Sequence, residues 1–455
     1  MGDARYVMAV DLGASNGRCV LGRLADGRLS AGEVCRFPNA PVAAGGRVYW
    51  DVLAIYERIK QAFRNCAAEG IYPECVGIDS WAQDFALVSG SGLPLCPPRC
   101  YRDGYTKELF AEKNAGDGPA RLADITGSAP FSGSTLFQLG ALLREEPGIA
   151  AAARELLFIP NLLYRMMGAR ASCDCTLASA SQLCGEGAGW SRELISEFGL
   201  PEVFPPIELP GGLIGECSDE FYRETGCRPK IALVAGHDTA SAMYAAGERG
   251  VGGELVVGSG TWSMMMCETS ARVRGFDPVR EPFLNVLGAR GERLLLRGAT
   301  GLWCFQQVKK EWEAQGRFPG YAALEAYALE RPARAWFDPD EPSLSWNDGM
   351  ELEIARLCVK NGFDSPKCEG EYYAVIMNSL ARKYAAMKAD FERLTGKRFG
   401  RVRIVGGGAK DPTLLRLTRE HTGCEVAAGP VEASSEGNLR LQFRALGLEA
   451  VEVRS

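Results

Sequence analysis

Only two histidines, His237 and His421, occur in 455 residues. The sixteen cysteines form no Cys-x-x-Cys pair; the nearest are Cys173 and Cys175, then Cys96 and Cys100. The paired ligand spacings of structural zinc sites are therefore missing. No Gly-Lys-Ser/Thr closes a glycine-rich loop, which excludes a Walker A site. The one triple glycine lacks the GxGxxG pattern and distal acid of a dinucleotide fold. No apolar run approaches the ~20 residues that span a bilayer. Positive charge is not in excess: 51 Lys and Arg stand against 57 Asp and Glu, a net charge of -6. That argues against a broad nucleic-acid surface and for a small ligand held by local groups. No secretory signal opens the chain, and position 6 is Tyr rather than the Ser or Thr of a myristoylation motif. The cysteines are accordingly expected to be reduced, buried, small hydrophobes in a cytoplasmic protein.

The composition is 46% hydrophobic and 24% charged, that of an ordinary globular chain. At this length two large domains, or a few smaller ones, are expected. Segments 6–12, 18–24 and 29–37 read as a three-stranded meander, with a Gly/Ser turn at 13–17 and an Asp26-Gly27 hairpin signal. Apolar residues at helical spacing predict a helix over 51–66, and 74–79 and 231–235 read as buried strands. Residues 247–253, rich in glycine, make the best linker candidate. Beyond them, 254–268 repeats the opening layout of apolar strand, small polar turn and apolar strand, so the chain reads as two related halves. The longest predicted helix covers 371–394.

Five stretches carry chemistry. In Asp11-Leu-Gly-Ala-Ser-Asn-Gly-Arg18, small residues let backbone N–H groups converge on an anion, and Arg18 can add charge-assisted bonds. Asp11, at the strand end, is placed to hold a metal through water. Gly258-Ser-Gly-Thr261 occupies the equivalent place in the second half. Gly406-Gly-Gly408 follows a buried strand and permits close approach of a flat ligand or a phosphate. Asp79-Ser-Trp-Ala-Gln-Asp84 is expected to bring polar groups beside an aromatic face to one rim, which suits a sugar. In Gly236-His-Asp-Thr239 a strand empties through a tight turn into a helix, with Asp238 or Thr239 near its N-cap. Taken alone, that aspartate is as readily a cap as a catalyst.

In this order and at these distances, the stretches resemble the FGGY family of carbohydrate kinases over essentially the whole chain. The most specific are Gly236-His-Asp-Thr-Ala-Ser-Ala242 and Ser259-Gly-Thr-Trp-Ser263, joined by Thr300-Gly-Leu-Trp303. The resemblance implies an α/β fold of two ribonuclease-H-like domains of the actin and hexokinase type, with a ligand cleft between them. Residues 1–247 would bind sugar and carry the base and the first phosphate turn; 248–455 would bind nucleotide. It implies ATP with Mg2+ as cosubstrate and a ketose as acceptor, with neither a nucleic acid nor a membrane as partner. The likeness is greatest to the kinases of L-rhamnulose, with fuculose or xylulose as alternative acceptors. Asp238 then matches the general base. Ala14, Ser15, Asn16, Gly17 and Arg18 match the ATP-phosphate turn, as does Thr261, while Gln306 and Gly407 match further nucleotide contacts. Ala82, His237, Asp238, Thr239 and Gly298 fall at sugar contacts. Two of these positions depart from the family: Trp81-Ala-Gln-Asp84 stands where Trp-Gly-Val-Asp is usual, and Gly298 where an asparagine is expected. A rival outside the family, an actin- or Hsp70-like ATPase that clamps a protein, has no evident need of His237-Asp238-Thr239 and Trp81.

Overall fold

The computed structural model describes residues 4–187, 189–247, 253–345 and 349–448, with the backbone of a short strand at 452–453. Most of the linker expected over 247–253 lies outside the described residues. Two compact units emerge, one from the described residues within 1–247, 276–294 and 433–455, the other from those within 248–275 and 295–432.

The first unit is built on a seven-stranded mixed sheet. Arg5–Leu12, Asn16–Ala25 and Arg28–Pro38 form the antiparallel meander, with Asp11 opposite Arg18 and Leu12 opposite Gly17. Cys75–Ser80 runs parallel to Arg5–Leu12, setting Asp79 beside Asp11, and Lys230–Leu233 runs parallel to Cys75–Ser80. The near-continuous apolar run of the first strand, buried on both faces, explains its central place. Met8, Val10 and Leu12 join a core with helix Val52–Ala68, while Val7 and Ala9 face a second core with Leu439 and Phe443 of helix Ala433–Ala445. This helix, almost at the end of the chain, therefore covers the sheet with which the chain begins.

The second unit repeats the plan. Glu254–Ser259 and Trp262–Thr269 form an antiparallel hairpin, and Arg401–Val405 lies parallel to the first of them, with Glu425–Ala428 beyond. The duplication read from the two Gly/Ser turns is thus present as topology. Helix Glu369–Thr395 extends the predicted 371–394 stripe by a few residues at its start and one at its end. Its buried side includes Tyr373, Ile376, Leu380, Tyr384, Met387 and Phe391, the 3.6-period face.

All sixteen cysteines are free thiols, most of them buried. No helix among the described residues is long and apolar enough to cross a membrane.

Candidate functional site

In the first unit the functional side chains gather at the carboxyl ends of adjacent parallel strands, where open α/β sheets bind ligands. Ser80, the last residue of Cys75–Ser80, bridges to His237, and its N–H donates to the Gly236 carbonyl at 2.8 Å. Helix Asp238–Ala245 begins there, with His237 as N-cap and Asp238 in the first helical position. The strand before it ends at Leu233, two residues earlier than its apolar run suggests. The Asp238 carboxylate is held through one oxygen. Oδ1 accepts from the Thr239 N–H at 2.5 Å and the Thr239 hydroxyl at 3.1 Å, and lies 3.0 Å from His237 Nδ1. Oδ2 has no hydrogen-bond partner among the described residues, and the side chain is 34% exposed. The His237 N–H in turn donates to the Thr176 hydroxyl at 3.1 Å. Thr176 is bonded to Asp174, the buried cap of helix Cys175–Ala180.

The turn after the first strand has the character of an anion nest. Among the described residues it is closed by one backbone bond, from the Gly13 N–H to the Asn16 carbonyl at 2.8 Å, and Asn39 braces it through the carbonyls of Gly13 and Ser15. The N–H groups of Ala14 and Ser15 are unpaired among the described residues, the arrangement that binds phosphate oxygens. Gly17 is needed for packing: a Cβ there would lie 2.5 Å from the Phe37 ring. The Arg18 guanidinium is bonded to Asp11, with Nη2 and Nε at 2.6 and 3.1 Å from Oδ2. The hydroxyls of Ser434 and Ser435 donate to the same oxygen at 2.5 and 2.7 Å. All four bonds fall on Oδ2, so the Asp11 carboxylate, like that of Asp238, is anchored on one side.

Asp79, Ser80 and Asp84, expected on a sugar-facing rim, are instead buried, at 0%, 0% and 1% exposure. The reason is topological: Asp79 sits on a strand covered on both faces, and Asp84 is enclosed by Trp50, Trp81 and Gln138. Burial, together with the neighbouring carboxylates of Asp11 and Asp238, pushes the Asp79 carboxyl well above its ordinary range. Its Oδ2 accepts from Asn438 Nδ2 at 2.6 Å. Asp84 accepts from Trp50 Nε1, from Trp81 Nε1 at 2.9 Å and from Gln138 Nε2 at 2.8 Å. Burial nevertheless pushes it up to about 6, against the lowering pull of those bonds. A carboxyl raised in the folded state binds more protons there than in the unfolded chain. Its stabilising contribution is full below its unfolded value of about 4 and is lost as pH rises through 6. The stability advantage of the wild type over Asp84→Asn should therefore be greater at pH 5 than at pH 7.5, by about 1–3 kcal/mol. Urea unfolding at the two pH values reads it; an advantage that grows with pH would contradict this environment for Asp84.

Ser434, Ser435 and Asn438 escape sequence reasoning. The usable signal is the run of mostly small, polar residues from Ser434 to Asn438 at the start of the helix. It becomes meaningful only once that helix is known to return to the first sheet.

In the second unit the Gly/Ser turn packs on the start of helix Trp303–Ala314: the Leu302 N–H donates to the Gly260 carbonyl at 2.7 Å, and the Gly301 N–H to that of Thr261 at 3.0 Å. The Thr261 hydroxyl donates to Gln306 Oε1 at 3.0 Å, which brings these two residues together at the surface. Gly408 packs on Ser259, and a Cβ there would meet its hydroxyl at 2.2 Å; Gly407 beside it is exposed. Gly298 lies apart from this surface on strand Arg293–Thr300, where a Cβ would sit 3.1 Å from Met264 Sδ. The methionine takes the space next to the missing side chain.

Among the described residues no cluster of three or more His, Cys, Asp or Glu is arranged to hold a metal. A single anchored carboxylate beside a phosphate nest does fit a hydrated cation that arrives with a nucleotide.

Comparison with known proteins identifies the family. The N-terminal domain model of the FGGY family of carbohydrate kinases matches residues 6–245, and the C-terminal domain model matches 255–446. A rhamnulokinase of Halalkalibacterium halodurans is 31% identical over 450 residues, covering 98% of this chain and 95% of its own. One of Bacteroides thetaiotaomicron is 33% identical over 454 residues, covering 98% and 91%. Among solved structures, a gluconate kinase from Lactobacillus acidophilus superposes with a TM-score of 0.78 at 14% identity, over 98% of this chain and 90% of that one. The last likeness concerns the fold; the domain matches and the two sequence relatives reach further, and by them the chain belongs to the FGGY family of carbohydrate kinases.

Proposed function

We propose that this sugar kinase transfers the γ-phosphoryl group of MgATP to the 1-hydroxyl of a ketose, L-rhamnulose foremost, with Asp238 as general base. The observation that carries the reading is the one-sided anchoring of Asp238. Thr239 and His237 fix Oδ1, and Oδ2 is left to accept the proton of the attacking hydroxyl. His237 and Thr239, with Ala82 and Gly298, are assigned to the sugar. Ala14 to Arg18 in the first unit, and Thr261, Gln306 and Gly407 in the second, are assigned to the nucleotide. Residues 1–247 would thus carry most of the sugar contacts, the base and the first phosphate turn, and 248–455 most of the remaining nucleotide contacts, with Gly298 as a sugar contact from the second half. The unpaired N–H groups of Ala14 and Ser15 would take phosphate oxygens. Asp11 would hold the Mg2+ of MgATP through water, and that cation would supply charge neutralisation on the phosphates.

The choice of L-rhamnulose is supported by the two sequence relatives, both rhamnulokinases. Fuculose or xylulose is the second reading, favoured by the departures at Ala82, Gln83 and Gly298. A panel of these ketoses, scored by ADP release, tests the choice: L-rhamnulose should give the highest kcat/KM, and a higher value for another ketose would replace it.

Arg18→Ala should raise the KM for ATP by about tenfold or more while moving the KM for ketose less. The substitution frees Asp11 from its guanidinium partner and disturbs the nest beside it. Steady-state kinetics with each substrate varied in turn reads this; a larger effect on the ketose would contradict the nucleotide assignment.

A further inference from the structure

Oε1 of Gln83 and Oγ of Ser134 are among several buried polar atoms of the first unit with no hydrogen-bond partner among the described residues, and what sets these two apart is that their segments are tied together. The Thr135 hydroxyl donates to the Gln83 carbonyl at 2.8 Å. Gln138 Nε2 reaches the same carbonyl at 3.3 Å and the Gly133 carbonyl at 2.8 Å. Ser134 is fully buried at the N-cap of helix Thr135–Glu145, yet its side chain makes no capping bond. A serine there ordinarily turns its hydroxyl onto the first helical N–H groups. Gln83 holds a φ of +87°, a conformation that residues with side chains rarely adopt. It follows Trp81, whose ring lies 4.2 Å from that of Trp50, centroid to centroid. The segment leaves the sheet at the end where Ser80 bridges to His237.

Native proteins seldom leave buried polar atoms unpaired, and two on adjoining segments point to a missing partner. An amide oxygen only accepts, whereas a serine hydroxyl donates as well as accepts. A hydroxyl satisfies both, giving its proton to Gln83 Oε1 and receiving one from Ser134 Oγ, the place a water would take when no sugar is bound. A methyl or carbonyl group, or a carboxylate, leaves at least one of them unmet.

We propose that Gln83 and Ser134 form a subsite that reads one secondary hydroxyl of the acceptor sugar and so determines which ketose is phosphorylated. This rests on the ketose-kinase reading above and deepens it. It also gives a meaning to the departure at position 83, where a residue that is usually apolar in the family has become an amide. A site whose buried polar groups expect a hydroxyl discriminates strongly against a ligand that misplaces it.

The test compares wild type, Gln83→Val, Ser134→Ala and the double variant. Each is assayed with L-rhamnulose, its C4 epimer L-fuculose, and xylulose, with Tm as the check of folding. Each single substitution should lower kcat/KM for the preferred ketose by about 10–100-fold, leave the KM for ATP unchanged, and shrink the ratio between that ketose and the poorer ones. Because both residues serve one hydroxyl, the double variant should lose less than the product of the single losses. Folded, active variants with wild-type ratios would overturn the subsite, leaving the two atoms to buried water alone. If one variant fails to fold, the other carries the comparison. A wild type that phosphorylates no ketose would instead overturn the reading of the function, and the subsite with it.

Discussion

Asp238→Asn should lower kcat by about 10²–10⁴-fold, the range contributed by a positioned general base. The substitution keeps the shape of the side chain and an oxygen able to accept from the Thr239 N–H and hydroxyl, as Oδ1 does in the wild type. What it replaces is Oδ2, the oxygen with no partner among the described residues, by an amide group that cannot take a proton. ATP affinity should be preserved, because the nest at 13–17 and its braces do not involve Asp238. The change in stability should be small, about 0.3–1 kcal/mol, the worth of a carboxylate at the start of a helix. Rapid-quench kinetics with nucleotide binding measured in parallel would separate these effects. A variant with kcat within threefold of wild type would remove Asp238 from the role of base. A variant that has lost ATP binding in step with turnover would point to a structural role.

The second large effect belongs to a glycine far from Asp238 in sequence. Gly437 packs against helix Asp238–Ala245 so closely that a Cβ would lie 1.9 Å from the Ser241 carbonyl oxygen. Neither partner can yield cheaply, since both are backbone. The same contact is clamped by the Ser241 hydroxyl, which donates to the Ser434 carbonyl at 2.8 Å. Two bonds from helix Ala433–Ala445 to Asp11 and one to Asp79 hold its other side. Even Gly437→Ala must therefore separate the helix that carries Asp238 from the helix that anchors Asp11. The expected loss is about 3 kcal/mol, at the top of the range for overpacked interiors. Whatever enzyme remains folded should have lost most of its kcat. Gly400→Ala, where an added Cβ meets nothing within 4 Å, should stay within about 0.5 kcal/mol of wild type. Urea unfolding of the two variants makes the comparison. Equal stabilities would mean that the two helices are not locked together as described.

These two residues also mark how far the sequence can be read. The meander at 5–38, the stripe of the long helix and the Gly/Ser turns are legible because each is a local pattern, of period 2, of period 3.6, or of small residues between strands. His237-Asp238-Thr239 is legible as a strand-to-helix turn, and its chemistry follows from the resemblance. The supports behind it are not legible. Nothing near Ser434, Ser435 or Asn438 says that their helix returns across about 400 residues to the first strand. Asp79 and Asp84 read as groups delivered to a ligand-facing rim because they stand at the end of a strand beside Trp81. Their burial depends on the far partners Asn438 and Gln138, and on two tryptophans that meet only in the folded unit. The departure at Gln83 is visible in the sequence, but its unusual backbone and its bare amide oxygen are visible only in three dimensions.

The γ-phosphoryl group of ATP should end on a ketose hydroxyl. Following the 31P and 13C spectra of a reaction containing the enzyme, MgATP and L-rhamnulose tests it most directly. A phosphate monoester coupled to C1 of the sugar should form in step with ADP, with little ADP when the sugar is left out. Inorganic phosphate as the phosphorus product, released at the same rate with or without ketose, would contradict it and favour a sugar-independent ATPase.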